Sequence, residues 1–289
     1  MKIGLGSARA SAMGHAFTAL ASGPDSMLYN PAGLAGSTQR ELSFGVTDWV
    51  QDVRAQSVGY VHPLGRTVLG LTANYLSVTG FDVRDDQGIA QAGSHVRVRD
   101  AAVGASVAHS FLYEKLFLGL SVKEVYENNG GPSRSTVVED LGAVVRPNPM
   151  VAVGASFLNL SNDKTRVVQT QRLGVAFSPN SFLNLAVDLF KDSDNSSRLA
   201  LGAEFMLPEE LLQVGQMAFR VGYFEADPQG ENRDGGLVKQ LSLERTSGVT
   251  VGLGIYSTEM TGYGIGLDYA LVPMGSLGAS HQIQVQLRF

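Results

Sequence analysis

Apolar and polar residues alternate one by one through most of this chain. Leu69, Leu71, Ala73 and Tyr75 are interleaved with Gly70, Thr72 and Asn74, and Leu116, Leu118, Leu120 and Val122 with Phe117, Gly119, Ser121 and Lys123. The pattern returns at Leu183–Leu189, Met217–Tyr223, Val249–Ile255 and Tyr263–Leu271. It is cleanest at the end, where Ile283, Val285, Leu287 and Phe289 face one way and Gln282, Gln284, Gln286 and Arg288 the other. A period of two puts successive side chains on opposite faces of a strand, so each run predicts a strand with one oily and one wet face. The wet face is small or polar throughout, as a lumen wall is, whereas a soluble sandwich turns its oily faces inward.

The connections between strands also alternate. Short ones lie around His62–Gly65, Arg146–Pro149 and Ser178–Ser181; longer polar ones cover residues 80–95, 127–134, 159–169, 191–197 and 225–248. Short turns on one rim and long loops on the other are the habit of a membrane barrel, with the short rim periplasmic. Fourteen strands from residue 41 to 289 are expected, or sixteen if residues 238–245 form an extra hairpin. The fold class is therefore all-β: a 14-stranded antiparallel transmembrane barrel, preceded by a different kind of segment.

Residues 1–40 form that first unit and 41–289 the barrel. Met13, Ala16, Phe17 and Leu20 recur at helical spacing, which predicts an amphipathic helix over residues 8–20. Asp25 or Ser26 is placed to cap a second short turn that Asn30 and Pro31 end. The segment is too compact to cross a bilayer and is expected to sit in the lumen as a hatch.

Composition agrees with a barrel. The 289 residues are 44% hydrophobic and 17% charged, against about 25% charged in an ordinary soluble domain. Glycine, 34 residues, falls inside apolar strands as well as in turns. No apolar run approaches the roughly 18 residues of a membrane helix, so only a closed barrel could span a bilayer with its backbone satisfied. The net charge of -5, with no basic cluster, argues against nucleic acid as a partner. The absence of cysteine argues against thiolate metal sites.

The stretch from Ala10 through Met13, Gly14, His15, Ala16, Phe17 and Leu20, followed by Tyr29, Asn30, Pro31, Ala32, Gly33 and Leu34, resembles the N-terminal motif of the PorV/PorQ family. That family belongs to the wider FadL-type group of long-chain fatty acid transporters, and the closing run from Gly278 to Phe289 is similar to its C-terminal end. The resemblance implies a Gram-negative outer-membrane barrel with a hatch, built around Met13, Phe17, Asn30, Pro31 and Gly33. It implies one of two roles. The first is docking or shuttling of cargo proteins exported by a type IX-like secretion system; the second is passive passage of hydrophobic small molecules such as fatty acids. The implied partners are outer-membrane lipid, the barrel-assembly machinery, and either secreted cargo or a hydrophobic ligand. Phe289 is the expected assembly signal. A secretory leader is expected too, and residues 1–6 have no sustained apolar core, so the native leader is taken as missing from this sequence.

Little points to chemistry. His15, His62, His95, His109 and His281 show no metal-ligand spacing. His109 and Ser110 are adjacent but, on a strand, face opposite ways, so no serine–histidine pair forms there. No enzyme activity and no cofactor are expected. The inward phase instead carries Lys123, Asp140, Asp188, Glu204, Arg220, Asp268 and Arg288, with Asn74, Asn184 and three glutamines. Buried charges need partners, so these are expected to form a polar network that locks the hatch or lines a polar path for a solute. Which of them meet depends on barrel shear, which the sequence does not specify. Trp49, Tyr60, Tyr75, Phe177, Phe205, Tyr223 and Tyr256 are placed for interfacial girdles.

Overall fold

The computed structural model of the chain describes residues 6–49, 53–84, 87, 90–129, 132–161, 167–208, 212, 215–225, 248–257, 263–274 and 278–289. The first strands are β1 (Glu41–Asp48), β2 (Val53–Leu64), β3 (Thr67–Arg84), β4 (Ala90–Phe111) and β5 (Leu116–Asn129). Next come β6 (Arg134–Asn148), β7 (Val151–Leu160), β8 (Thr170–Asn180), β9 (Leu183–Asp192) and β10 (Arg198–Leu207). The last four are β11 (Gln216–Phe224), β12 (Val249–Ser257), β13 (Gly264–Pro273) and β14 (Ala279–Arg288). Each pairs antiparallel with its sequence neighbours, and β14 pairs with β1 to close a barrel of fourteen strands. Closure leaves no unpaired edge, the condition for crossing hydrocarbon with strands. The seam is completed by reciprocal backbone bonds between Arg40 and Phe289, at 3.0 and 3.2 Å. Among the described residues no helix is long and apolar enough to cross a membrane.

The alternation sorts as expected. Leu71, Val103, Leu120, Leu173, Val187, Val221, Leu253 and Ile283 point outward and are exposed. Their interleaved neighbours, among them Asn74, Ser106, Ser121, Asp188, Glu204, Gln282 and Gln284, are buried inside. Such an outer surface is stable only against lipid. The inner wall is not uniformly polar, however. Val61, Val68, Phe117 and Val144 also face inward and are buried, because the N-terminal segment lies against them.

Two expectations about the barrel need correction. The expected loop over residues 80–95 is mostly strand: β3 runs on to Arg84 and β4 starts at Ala90, with register shifts between Val78 and Phe81 and between Asp82 and Arg84. Its polar residues read as a loop, yet a ladder is made by backbone N–H and C=O groups and forms whatever the side chains. Tyr256 does not belong to an outer girdle. It lies on the inward phase of β12, with the Arg288 guanidinium 4.7 Å from its ring centre. Residues 238–245 lie outside the described residues.

The segment before the barrel contains α1 (Ala8–Ala12), a 3₁₀ turn at Gly23–Asp25, α2 (Ser26–Tyr29) and a second 3₁₀ turn at Pro31–Gly36. The helix expected over residues 8–20 stops after five residues. Gly14 and His15 take successive left-handed conformations, φ 61° and 65°, and turn the chain away. The helical spacing beyond them is coincidence of composition. Met13, Ala16, Phe17, Met27, Tyr29, Ala32 and Leu34 are all buried within the lumen, so the hydrophobic core of this protein is its plug.

Candidate functional site

The plug and the wall that grips it form the site. Ser7 caps α1 through its side chain, accepting from Ala10 N at 3.1 Å, while its hydroxyl donates to Asp25 Oδ2 at 2.6 Å. Asp25 thus does not cap α2 through its side chain, as the sequence invited. Its carboxylate is taken by Ser7 and by Gln284 Nε2 of β14, at 2.5 Å. Asn30 binds the limbs of the plug to each other and to the wall. Its Nδ2 donates to Thr18 O (3.0 Å) and to Ala143 O of β6 (3.1 Å), and its Oδ1 accepts from Ala32 N (3.2 Å). Pro31 then starts the 3₁₀ turn, and Gly33 packs so close to the Ala21 carbonyl that a side chain has no room.

The wall meets the plug with inward glycines. Gly59 and Gly70 make room for Pro24 and Met27, Gly119 for Pro31 and Ala32, Gly142 for Asn30, Gly154 for Thr18, Gly202 for Met13, and Gly222 for Met13 and Gly14. A Cβ at Gly154 would sit 2.6 Å from Thr18 O, and one at Gly202 2.6 Å from Met13 O. These glycines follow one another round β2, β3, β5, β6, β7, β10 and β11 as a belt on which the plug rests. Close backbone approach is the usual reason for glycine inside a strand.

Charged side chains lock the plug at separate points rather than through one network. Glu204, 1% exposed, accepts from Arg9 Nε (2.9 Å) and Nη2 (2.7 Å), from Arg220 Nε (2.7 Å) and from Asn184 (2.8 Å). Arg220 continues to Asp268 at 2.5 Å, and Gln286 reaches the other oxygen of Asp268 at 3.2 Å. On the other side, Asp188 Oδ2 accepts from Phe17 N (3.0 Å), Thr18 N (2.9 Å) and Thr18 Oγ1 (2.5 Å), and pairs with Arg172 at 3.3 Å. Arg172 also donates to His15 O at 2.6 Å. Lys123 pairs with Asp140 at 2.7 Å and donates to Asn159 at 2.9 Å, away from the plug. Arg288 pairs with Glu41 at the seam. A buried carboxylate with several donors is held firmly, and removing one partner of such a pair costs about 3–5 kcal/mol.

Burial shifts several plug groups, Asp25 and His15 among them. Burial pushes the Asp25 carboxyl up to about 6, against the opposing pull of its bonds from Ser7 and Gln284. Burial, then the nearby Arg172 and Arg198 charges, push His15 down to about 3, so its imidazole is neutral and shares a 2.8 Å hydrogen bond with the Tyr29 hydroxyl. Between the plug and β10–β14 a cavity of about 230 Å³ opens among Arg9, Glu204, Tyr256, Asp268, Gln286 and Arg288.

Of the residues singled out from sequence, Met13, Phe17, Asn30, Pro31 and Gly33 all lie in the plug. Glu204, Arg220 and Asp268 come together, while Asp188, Lys123 and Arg288 each join a different cluster. Phe289 stands at the closing seam, 48% exposed. Sequence reasoning missed Arg9, Arg172 and the wall contact of Asp25. Arg172 shares the inward phase of β8 opposite Leu173 and Val175, so the same alternation could have found it. Arg9, a lone cation in an alanine-rich helix, was the other available signal. His109 bonds Thr67 at 2.8 Å, whereas Ser110 is buried.

Fold and site together define an outer-membrane-type β-barrel of fourteen strands with an internal plug. The profile of an uncharacterised protein family, UPF0164, matches residues 4–135. No protein with a curated description matches the chain. Among solved structures, the Ralstonia pickettii toluene transporter TbuX is 14% identical, with a TM-score of 0.62 over 96% of both chains. The Pseudomonas putida toluene transporter TodX is 12% identical, with a TM-score of 0.62 over 96% of this chain and 95% of that one. A TodX variant described as a monoaromatic hydrocarbon channel is 13% identical, with a TM-score of 0.61 over 92% of this chain and 94% of that one. At these identities the likeness is one of fold.

Proposed function

We propose that this protein is an outer-membrane channel through which small hydrophobic molecules pass passively, and that it is not an enzyme. The observation that carries this reading is a plug folded inside a fourteen-stranded barrel, an arrangement aligned over almost the whole chain with barrels described as toluene transporters and hydrocarbon channels. The plug's grip supports it as well. On β5–β7 the wall approaches the plug backbone at glycines, whereas at the cavity of about 230 Å³ the plug is held by the Arg9 side chain on Glu204. Side chains can re-pair where backbone cannot, so that flank is where the plug yields. No observation on the barrel favours the alternative, docking of secreted cargo. One of the loops invoked for it, residues 80–95, is largely strand, and most of the other lies outside the described residues.

Proteoliposomes containing the protein test the proposal. Uptake of radiolabelled toluene should exceed that of protein-free vesicles severalfold, while uptake of a sugar of similar size should not. Equal toluene uptake with and without protein would overturn the reading.

A further inference from the structure

We propose that the inner wall of β4–β6 holds a seat for a small uncharged hydrocarbon, occupied in this structure by the side chain of Val167. The proposal rests on the channel reading and specifies its substrate class.

Inward positions of a barrel lumen are normally polar. At one level, toward the long-loop rim, three adjacent strands break that rule: Ala102 of β4, Val125 of β5 and Val138 of β6 present an apolar patch to the interior. The plug does not cover it. Val167, from the connection between β7 and β8, crosses to it and completes the cluster, leaving Val138 at 0% exposure and Val167 at 5%. Among the described residues, Val167 is thus the side chain from outside the strands that joins this apolar cluster. The residues beside it are docked by side chains reaching backbone: Asn159 Nδ2 to Val168 O (3.3 Å) and Gln169 Nε2 to Ser161 O (3.1 Å). Asn159 is itself held in a left-handed conformation, φ 58°, with its N–H on Asp140 Oδ1 at 2.7 Å. Such bonds are exchangeable with water, whereas the apolar patch needs an apolar cover.

The floor of the seat sets the ligand class. One step along each strand toward the plug, Lys123 and Asp140 form an ion pair, and Lys123 also donates to Asn159. The lysine is already committed, so it is no free cation for a carboxylate head group. An anionic amphiphile would have to break the pair, whereas an uncharged hydrocarbon fills the space of Val167 and leaves the pair intact.

The chain has no cysteine, so Val167→Cys supplies a unique thiol. Its labelling by a water-soluble maleimide is measured in detergent with no solute, with toluene and with laurate. Tyr113→Cys, at a position 91% exposed, is labelled alongside as the reference. Toluene binding is followed separately by saturation-transfer NMR. Without solute, the thiol at position 167 should label at least tenfold more slowly than the one at position 113. Toluene should raise its rate at least tenfold, and laurate should not. Fast labelling without solute would overturn the seat. Toluene binding with unchanged labelling would overturn it too, while leaving the channel reading in place. Equal exposure by laurate would overturn the neutral-ligand assignment. No toluene binding by NMR together with no toluene uptake in vesicles would remove the channel reading, and the seat with it.

Discussion

Asp188→Ala should release the plug without opening the barrel. The carboxylate is fully buried, and one oxygen takes two plug N–H groups, the Thr18 hydroxyl and the Arg172 guanidinium. Alanine orphans the amides of Phe17 and Thr18, at about 1–3 kcal/mol each. It also strands the charge of Arg172, at about 3–5 kcal/mol. The lower bounds alone reach about 5 kcal/mol, which at about 1.4 kcal/mol per factor of ten lowers the ratio of seated to released plug by roughly three orders of magnitude or more. The backbone pairing of β8 with β9, Gly174 opposite Asp188, needs no side chain and should persist. Ala19, 2% exposed in the plug, serves as a reporter position: Ala19→Cys places a single thiol in this cysteine-free chain. When Asp188→Ala is added, the thiol at position 19 should become accessible to a soluble maleimide. Single-channel conductance in planar bilayers should rise, with the heat-modifiable gel shift of the barrel retained. Adding Arg172→Met should restore part of the protection by removing the stranded cation. A reporter thiol that stays protected and an unchanged conductance would refute the idea that Asp188 seats the plug.

Asn30→Ala removes ties to Thr18, Ala143 and Ala32 and should loosen the same segment by about 1–3 kcal/mol, seen as faster hydrogen exchange across residues 16–34. Gly222→Val drives a side chain into the Met13–Gly14 backbone, so conductance should rise while the barrel still forms; a variant with wild-type conductance would count against the glycine belt. Because Asp25 has its carboxyl pKa raised from 3.8 to about 6 in the folded plug, the folded state binds the extra proton. Plug stability should therefore increase as pH falls from above 6 to about 4, by at most on the order of 3 kcal/mol, and Asp25→Asn should flatten that dependence in exchange rates corrected for intrinsic pH effects. Deleting Phe289 removes both backbone bonds to Arg40 at the seam and should reduce insertion into outer-membrane vesicles; full-yield insertion would show that the seam closes without it.

Local periodicity governs the part of this protein that is legible in its chain. Alternation at Leu69–Tyr75, Leu183–Leu189 and Ile283–Phe289 sufficed for strands and for which face points outward, since a strand's two faces follow from spacing alone. It left fourteen and sixteen strands both open, and the closure of β14 on β1 decided for fourteen. Asn30 and Pro31 marked the plug in the same local way. Which residues meet across the lumen is settled only by closure of the barrel around the plug. Glu204 finds Arg220 on the next strand, but it finds Arg9 from far back in the chain, and Asp188 finds Thr18. Those meetings depend on barrel shear and on where the plug settles, quantities that belong to no local window. The same holds where local reading failed. The helix over residues 8–20 ended early because Gly14 presses against the backbone of Tyr223, and Val167 finds its apolar partners on β4–β6, distant in the chain.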